Sequence, residues 1–441
     1  MSTIVNRRAV YRAAIIASAL TIAAVSARAA VLFHAALLRS SPTADAKLKR
    51  APADIRLVFS EEVVPALSRI ALIEPAGDSI KLKVSNDPHD VHTLIGAVPL
   101  SSMDGKYSVY WRVVSADGHL VDGTFSFSVN GPAAATSTVT TPLNGGDSPK
   151  AAPTIPPAAE KTPVVASLLR GLGLAALMAA VGILFFGVTT HDVNAVLPAR
   201  LLATLTNVGA VLLVFHFFVW LSRVSPDNAS YGVVLQSKLG RIELARTMLA
   251  VLTSLAVTPL RKYKAALAFG VASLLVSGAV GHSAAIDPIV AVPSKSLHLV
   301  GGALWLGGLI WLITTARLNA VTHHDEAKRV SFVALISVIA VVASGLLQTV
   351  LFLNSPGDLL NSGYGKLVVA KIIGLLILIG YGAYHRYSLL PRLNERASAL
   401  SASVRQEIAV MTIVILIGGF LAYVPPPPAA SSGTTVTRGI Q

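Results

Sequence analysis

Asp117 and His119 stand one residue apart in WRVVSADGHLVDGTFSFSV, residues 111–129. In extended chain, residues i and i+2 project to the same side, so this carboxylate and imidazole reach one point in space, with Gly118 leaving room between them. Oxygen and nitrogen donors without sulfur suit a tetragonal copper(II) site or a zinc site. Asp-Gly is also a common hairpin turn pair, so on spacing alone a plain turn and a metal site both stand open. His34 lies at the head of the same region, and Glu61 and Glu62 follow the run at 55–60. His89 and His92, in DPHDVH, form a second pair that a polar loop would leave solvated. The chain has no cysteine, which excludes thiolate sites and disulfides.

These donors need elements to hold them. After the Asp-Gly-His segment, Phe125, Phe127 and Val129 alternate with Thr124, Ser126 and Ser128, the period-2 pattern of a strand with one buried face. IRLVFSEEV, SRIALIE, KYSVYWRVV and TFSFSV are short strand-like runs separated by Gly, Pro, Asp and Ser. That spacing predicts a small all-β sandwich over 30–130. Ahead of it, residues 1–29 place Arg7, Arg8 and Arg12 before a short apolar stretch that ends in Ala27-Arg28-Ala29. This is the grammar of a secretory signal peptide, with an uncleaved anchor as the alternative. Either way, the sandwich is expected to be exported. Residues 131–163 are Pro, Ala, Thr and Ser with hardly a large apolar side chain. They cannot bury enough surface to offset ordering entropy, so they read as a linker.

Hydrophobic residues make up 53% of the chain and charged residues 13%, with a mean hydropathy of +0.66. Most of such a chain belongs in a bilayer. About eight apolar helices are expected within 164–424, in 164–190, 199–222, 242–258, 264–282, 295–317, 329–353, 366–390 and 407–424. Glu243 and Arg246 shorten the apolar part of the third. Residues 425–441 are expected to be a disordered tail. The net charge of +14 comes from Lys and Arg clustered in short loops, as topology determinants are, so nucleic acid is not an expected partner. With the sandwich outside, the loops after helices 3, 5 and 7 are cytoplasmic and carry most of these positive charges.

In that topology His216, His282 and His298, on three separate helices, fall toward the outer leaflet, while His191 and His385 come near the cytoplasmic ends. Ionisable groups at membrane depth are costly and usually face a bundle interior or a polar pathway. For any one histidine a structural role is the simpler reading; three at similar depth point to a site. In SLHLVGGALWLGGLIWL, Gly301, Gly302, Gly307 and Gly308 let neighbouring backbones approach. Close helices there would bring His298 near His216 or His282.

HAALLRSSPTADA, IRLVFSEEVVPALSRI and YSVYWRVVSADGHLVDGTFSFSV resemble the CopC family of periplasmic copper-binding domains over residues 34–130. SLHLVGGALWLGGL and YGKLVVAKIIGLLILIGYGAYHRYSLLPRL resemble the CopD family of inner-membrane copper-resistance or copper-uptake proteins. The resemblance implies a CopC–CopD fusion: an Ig-like, cupredoxin-like sandwich joined to a polytopic all-α bundle in the bacterial inner membrane. It implies a Cu(II) site of His34, Asp117 and His119, with Glu61 a weaker contributor. In the family the first histidine also lends its terminal amine. Here the best cleavage site follows Ala29, which leaves Ala30, Val31, Leu32 and Phe33 ahead of His34. The family's methionine-rich Cu(I) loop is missing, Met103 being the one methionine between His34 and the linker.

The expected function is that of a carrier, not an enzyme: the sandwich captures Cu(II), received from a periplasmic donor. The tether raises copper's effective concentration at the bundle. His216, His282 and His298 accept it as Cu(I), after reduction elsewhere, and His385 lies toward release. A haem-binding electron carrier, with histidines of separate helices clamping iron, and a copper-sensing or tethering protein are the alternatives.

Overall fold

The computed structural model describes residues 37–99, 104–115, 120–130, 163–189, 198–225, 231–283, 288–315, 320–424 and 426–427. His34, Asp117, His119 and His191 lie outside the described residues, as do the expected signal segment, most of the linker and nearly all of the tail.

The alternating runs form nine strands: β1 (Leu37–Ser41), β2 (Lys47–Leu48), β3 (Asp54–Phe59), β4 (Arg69–Ile73), β5 (Ser79–Lys81), β6 (Lys83–Asp87), β7 (Asp90–Ala97), β8 (Gly105–Val114) and β9 (Leu120–Val129). They make two sheets, ordered β1-β3-β7-β6 and β2-β9-β8-β4-β5. Ile55, Leu57 and Phe59 of β3 face Tyr107, Val109, Trp111 and Val113 of β8 and Phe125 and Phe127 of β9 in one buried core. Each such side chain, fully buried, contributes about 1.5–3 kcal/mol. Phe59 meets Trp111 edge to face at 5.3 Å, and Tyr107 stacks on Phe127 at 5.3 Å. Gly123 makes room for the indole, since a Cβ there would stand 2.5 Å from Trp111.

Among the described residues eight long helices follow: α1 (Val164–Val188), α2 (Ala199–Val224), α3 (Lys238–Val257), α4 (Tyr263–Gly278), α5 (Pro288–Thr315), α6 (Ala320–Phe352), α7 (Gly363–Tyr384) and α8 (Leu393–Leu421). Among the described residues six helices, α1, α2, α5, α6, α7 and α8, contain a stretch long and apolar enough to cross a bilayer, so the expected count of about eight spans is not reached by length and composition. α4 has just 16 residues, and α3 carries Lys238, Arg241, Glu243 and Arg246. α3 packs on α2 and α4 all the same, and its Glu243 and Arg246 are buried as an ion pair at 2.5 Å.

α1 is the most enclosed span, packed against α2, α4, α5 and α8. Its crossing with α5 depends on two glycines: a Cβ on Gly307 would meet Gly182 Cα at 2.2 Å, and one on Gly182 would meet Gly307 Cα at 2.6 Å. The α5 glycines thus serve packing, against α1 and α6, rather than drawing α5 toward α2. Gly307→Val is expected to destabilise the bundle by about 3 kcal/mol. Gly380→Ala in α7, where nothing lies within 4 Å of an added Cβ, should be neutral or stabilising by up to about 1 kcal/mol. Thermal melts of the solubilised chain compare the two, and equal melting temperatures would remove the packing role of Gly307.

The sandwich rests on the bundle. Leu67 and Val114, with Val64 and Leu120 beside them, form one apolar cluster with Phe217, Trp220, Leu221 and Val224 of α2, and with Val234 and Leu239. The end of the bundle that includes the C-terminus of α2 and the N-terminus of α3 is therefore the sandwich side.

Candidate copper site and the buried polar clusters of the bundle

β8 and β9 pair antiparallel without a break from Gly105↔Val129 to Val114↔Leu120. Ten consecutive rungs fix both ends of the segment 115–119, which contains Asp117 and His119. A second chain segment comes alongside: Val63 bridges Ser115, and the Val64 amide donates to the Val114 carbonyl at 2.9 Å. Glu61, two residues before that bridge, is buried with 8% exposure. The register thus brings Glu61's segment alongside the end of β8, at Val114 and Ser115.

His89 sits on the β6–β7 turn and His92 is the third residue of β7. The His89 and His92 amides donate to Asp87 and Asp90, each at 3.0 Å. The Thr93 hydroxyl, at 2.6 Å, and then the His92 amide hold the Asp90 carboxyl below the usual carboxylate range. This turn's stabilisation is present at neutral pH and is lost as pH falls through the carboxylate range. Asp90 is occupied in closing the turn.

Each bundle histidine has its own partners. His216 is fully buried; its Nε2 is 2.6 Å from the Tyr423 hydroxyl and its Nδ1 is 3.0 Å from Arg246 Nη2. His282 Nε2 lies 3.2 Å from the Val424 carbonyl, with its ring against Phe352 and Tyr364. His298 Nδ1 is 3.0 Å from the Ser344 hydroxyl of α6. Among the described residues no group of three or more His or carboxylate side chains is placed to hold a metal ion.

His385 opens a π-helical turn, His385–Leu389, directly after α7. Its Nε2 is 2.8 Å from the Ser403 hydroxyl and its Nδ1 is 3.1 Å from Glu407 Oε2. Glu407, 1% exposed, also accepts from Trp305 Nε1 at 3.0 Å. This cluster ties α5, α7 and α8 together toward the end opposite the sandwich. Sequence reasoning missed Glu407, Trp305, Arg170 and Tyr423. The available signal was a charged or hydrogen-bonding residue inside an apolar run, a signal applied only to the histidines.

The CopC domain profile matches residues 37–130, and the Copper resistance protein D profile matches residues 324–421. Copper transport protein CutJ of Bacillus subtilis is 24% identical over 425 residues, 89% of this chain and 74% of that one. Copper resistance protein C of Xanthomonas campestris pv. juglandis is 37% identical over 114 residues, covering 24% of this chain and 89% of its own length. The crystal structure of CopC from Methylosinus trichosporium OB3b is 30% identical and covers 22% of this chain and 93% of that chain, with a TM-score of 0.21. The chain therefore belongs to the CopC family of copper proteins and joins to that domain, in one polypeptide, a Copper resistance protein D region: it is a CopC–CopD fusion.

Proposed function

We propose that this chain binds copper on its sandwich and moves it across the bacterial inner membrane, in copper uptake or resistance. The observation that carries this reading is the joining of the two copper-protein regions at one contact. The sandwich meets α2 through Val114 and Leu120, the two residues that bracket the Asp117–His119 segment. Cu(II), delivered by a periplasmic donor, is taken by Asp117 and His119, with His34 and Glu61 contributing. The ion is then released toward the bundle, which the sandwich meets at Val114 and Leu120. His216, His282 and His298 lie on the receiving side and His385 toward the far side. With the sandwich in the periplasm, the far side is cytoplasmic. The chain acts as a carrier, not as an enzyme.

Cellular copper, measured with and without the gene at equal external copper, tests the reading. Import predicts less copper in the deletion strain and resistance predicts more. Equal contents would overturn transport and leave a binding or sensing protein.

On the Ala27-Arg28-Ala29 pattern, the mature chain is expected to begin at Ala30. Mass spectrometry of the protein from an exporting host decides this. A chain beginning at His34 would overturn the assignment and return the amine to the copper site.

A further inference from the structure

The sandwich-side half of the bundle is strongly cationic inside. Arg170 of α1 is 5% exposed and Arg246 of α3 is 0% exposed. Lys295 of α5 donates to the Val280 carbonyl and lies within electrostatic range of Arg170, Arg246 and Lys371. Lys371 of α7 stands beside Gly418 of α8. Against these four basic side chains, of which Lys295 and Lys371 are half-buried, the described residues place one buried carboxylate in this half, Glu243. Asp358, at the same end, caps the amides of Asn354 and Ser355 in an exposed turn. Glu326 and Glu407 belong to the opposite half.

The hydrogen bonds leave the imbalance unresolved. Arg246 Nη2 is shared between Glu243 and His216, while Nε and Nη1 are buried with no acceptor. Arg170 bonds the neutral Tyr423 hydroxyl, which is shared with His216. Burying an unpaired charge costs several kcal/mol, and buried donors without acceptors add to that cost. An anion between these groups would offset both.

We propose that this half of the bundle is a binding site for an oxyanion, a phosphate or carboxylate group, held by Arg246 and Arg170 with Lys295 and Lys371 supplying further charge. Guanidinium groups suit such oxygens by geometry and ammonium groups by charge. The same field repels a bare copper cation. The site itself does not depend on the copper reading.

The test uses the full chain in nanodiscs of neutral phosphatidylcholine, free of copper, with inorganic phosphate and citrate as probes. Titration calorimetry and thermal melts should show saturable binding and a raised melting temperature. Lys371→Gln and Lys295→Gln should each weaken binding about tenfold. Arg246→Gln strands Glu243 and can fail to fold, so the two lysine variants carry the test. A second arm identifies the source. If a lipid headgroup is the natural occupant, nanodiscs containing phosphatidylglycerol should weaken phosphate binding. Native mass spectrometry should then find that lipid retained by the parent and lost from Lys371→Gln. If the occupant is free phosphate or carboxylate, affinity should be the same in both nanodiscs. Absence of both saturable binding and retained anionic lipid would overturn the proposal. So would binding indifferent to both lysine substitutions.

Discussion

Asp117→Ala and His119→Ala are each expected to weaken Cu(II) binding by about 100-fold or more while leaving the sandwich folded. Both residues lie between Val114 and Leu120, at the end of a hairpin closed by ten rungs. The core that holds the sheets together is built from β3, β4, β8 and β9 side chains outside that segment. Removing a donor from that segment is expected to leave this core intact. Because copper needs neutral imidazole, the parent's affinity should also fall as pH drops through about 6.5. Competition with a copper chelator of known affinity, on the full chain and both variants, measures all of this. Parent-like affinity in both variants would sink the site, and a flat affinity from about pH 7.5 to 5 would remove histidine from it.

The sandwich was legible because its signal is local. Period-2 alternation in DIRLVF and TFSFSV gives the buried faces of β3 and β9 directly, and the one tryptophan of β8 finds its space over Gly123. The apolar helices were legible by length and composition for the same reason. What failed was any inference that needed partners. Glu243 and Arg246 appeared as a shortening of an apolar run, whereas they are an ion pair inside the bundle. The glycines beside His298 were correctly assigned to packing, but their partners are α1 and α6. Nothing in the sequence indicated that Val114 and Leu120 would join Trp220 in one apolar cluster. Such pairings are decided by tertiary packing over hundreds of residues, and a hydropathy pattern holds no record of them.

The histidines of the sandwich-side half carry the second large expectation. If copper is accepted there, His216→Ala, His282→Ala and His298→Ala should each reduce copper accumulation severalfold, with Cu(II) capture by the sandwich unchanged. The three differ in what else they disturb. His216→Ala takes an acceptor from Arg246 and a partner from Tyr423, and leaving such buried groups unsatisfied costs about 1–3 kcal/mol. Its loss of transport must therefore be read beside a melting curve. His298 bonds the Ser344 hydroxyl, which itself donates to the Ala340 carbonyl within α6. His298→Ala is thus the cleanest of the three. His385→Ala, at the opposite end, removes the partner of Glu407 and should slow release rather than acceptance. Copper accumulation in vesicles, at matched expression, separates these effects: the first three variants lower the initial rate, whereas His385→Ala permits loading and retards discharge. Unchanged accumulation in all three sandwich-side variants would make their histidines structural, in keeping with the separate partners each one has. The sandwich would then be the sole copper site left to defend, and the cationic half of the bundle would have to be explained without copper.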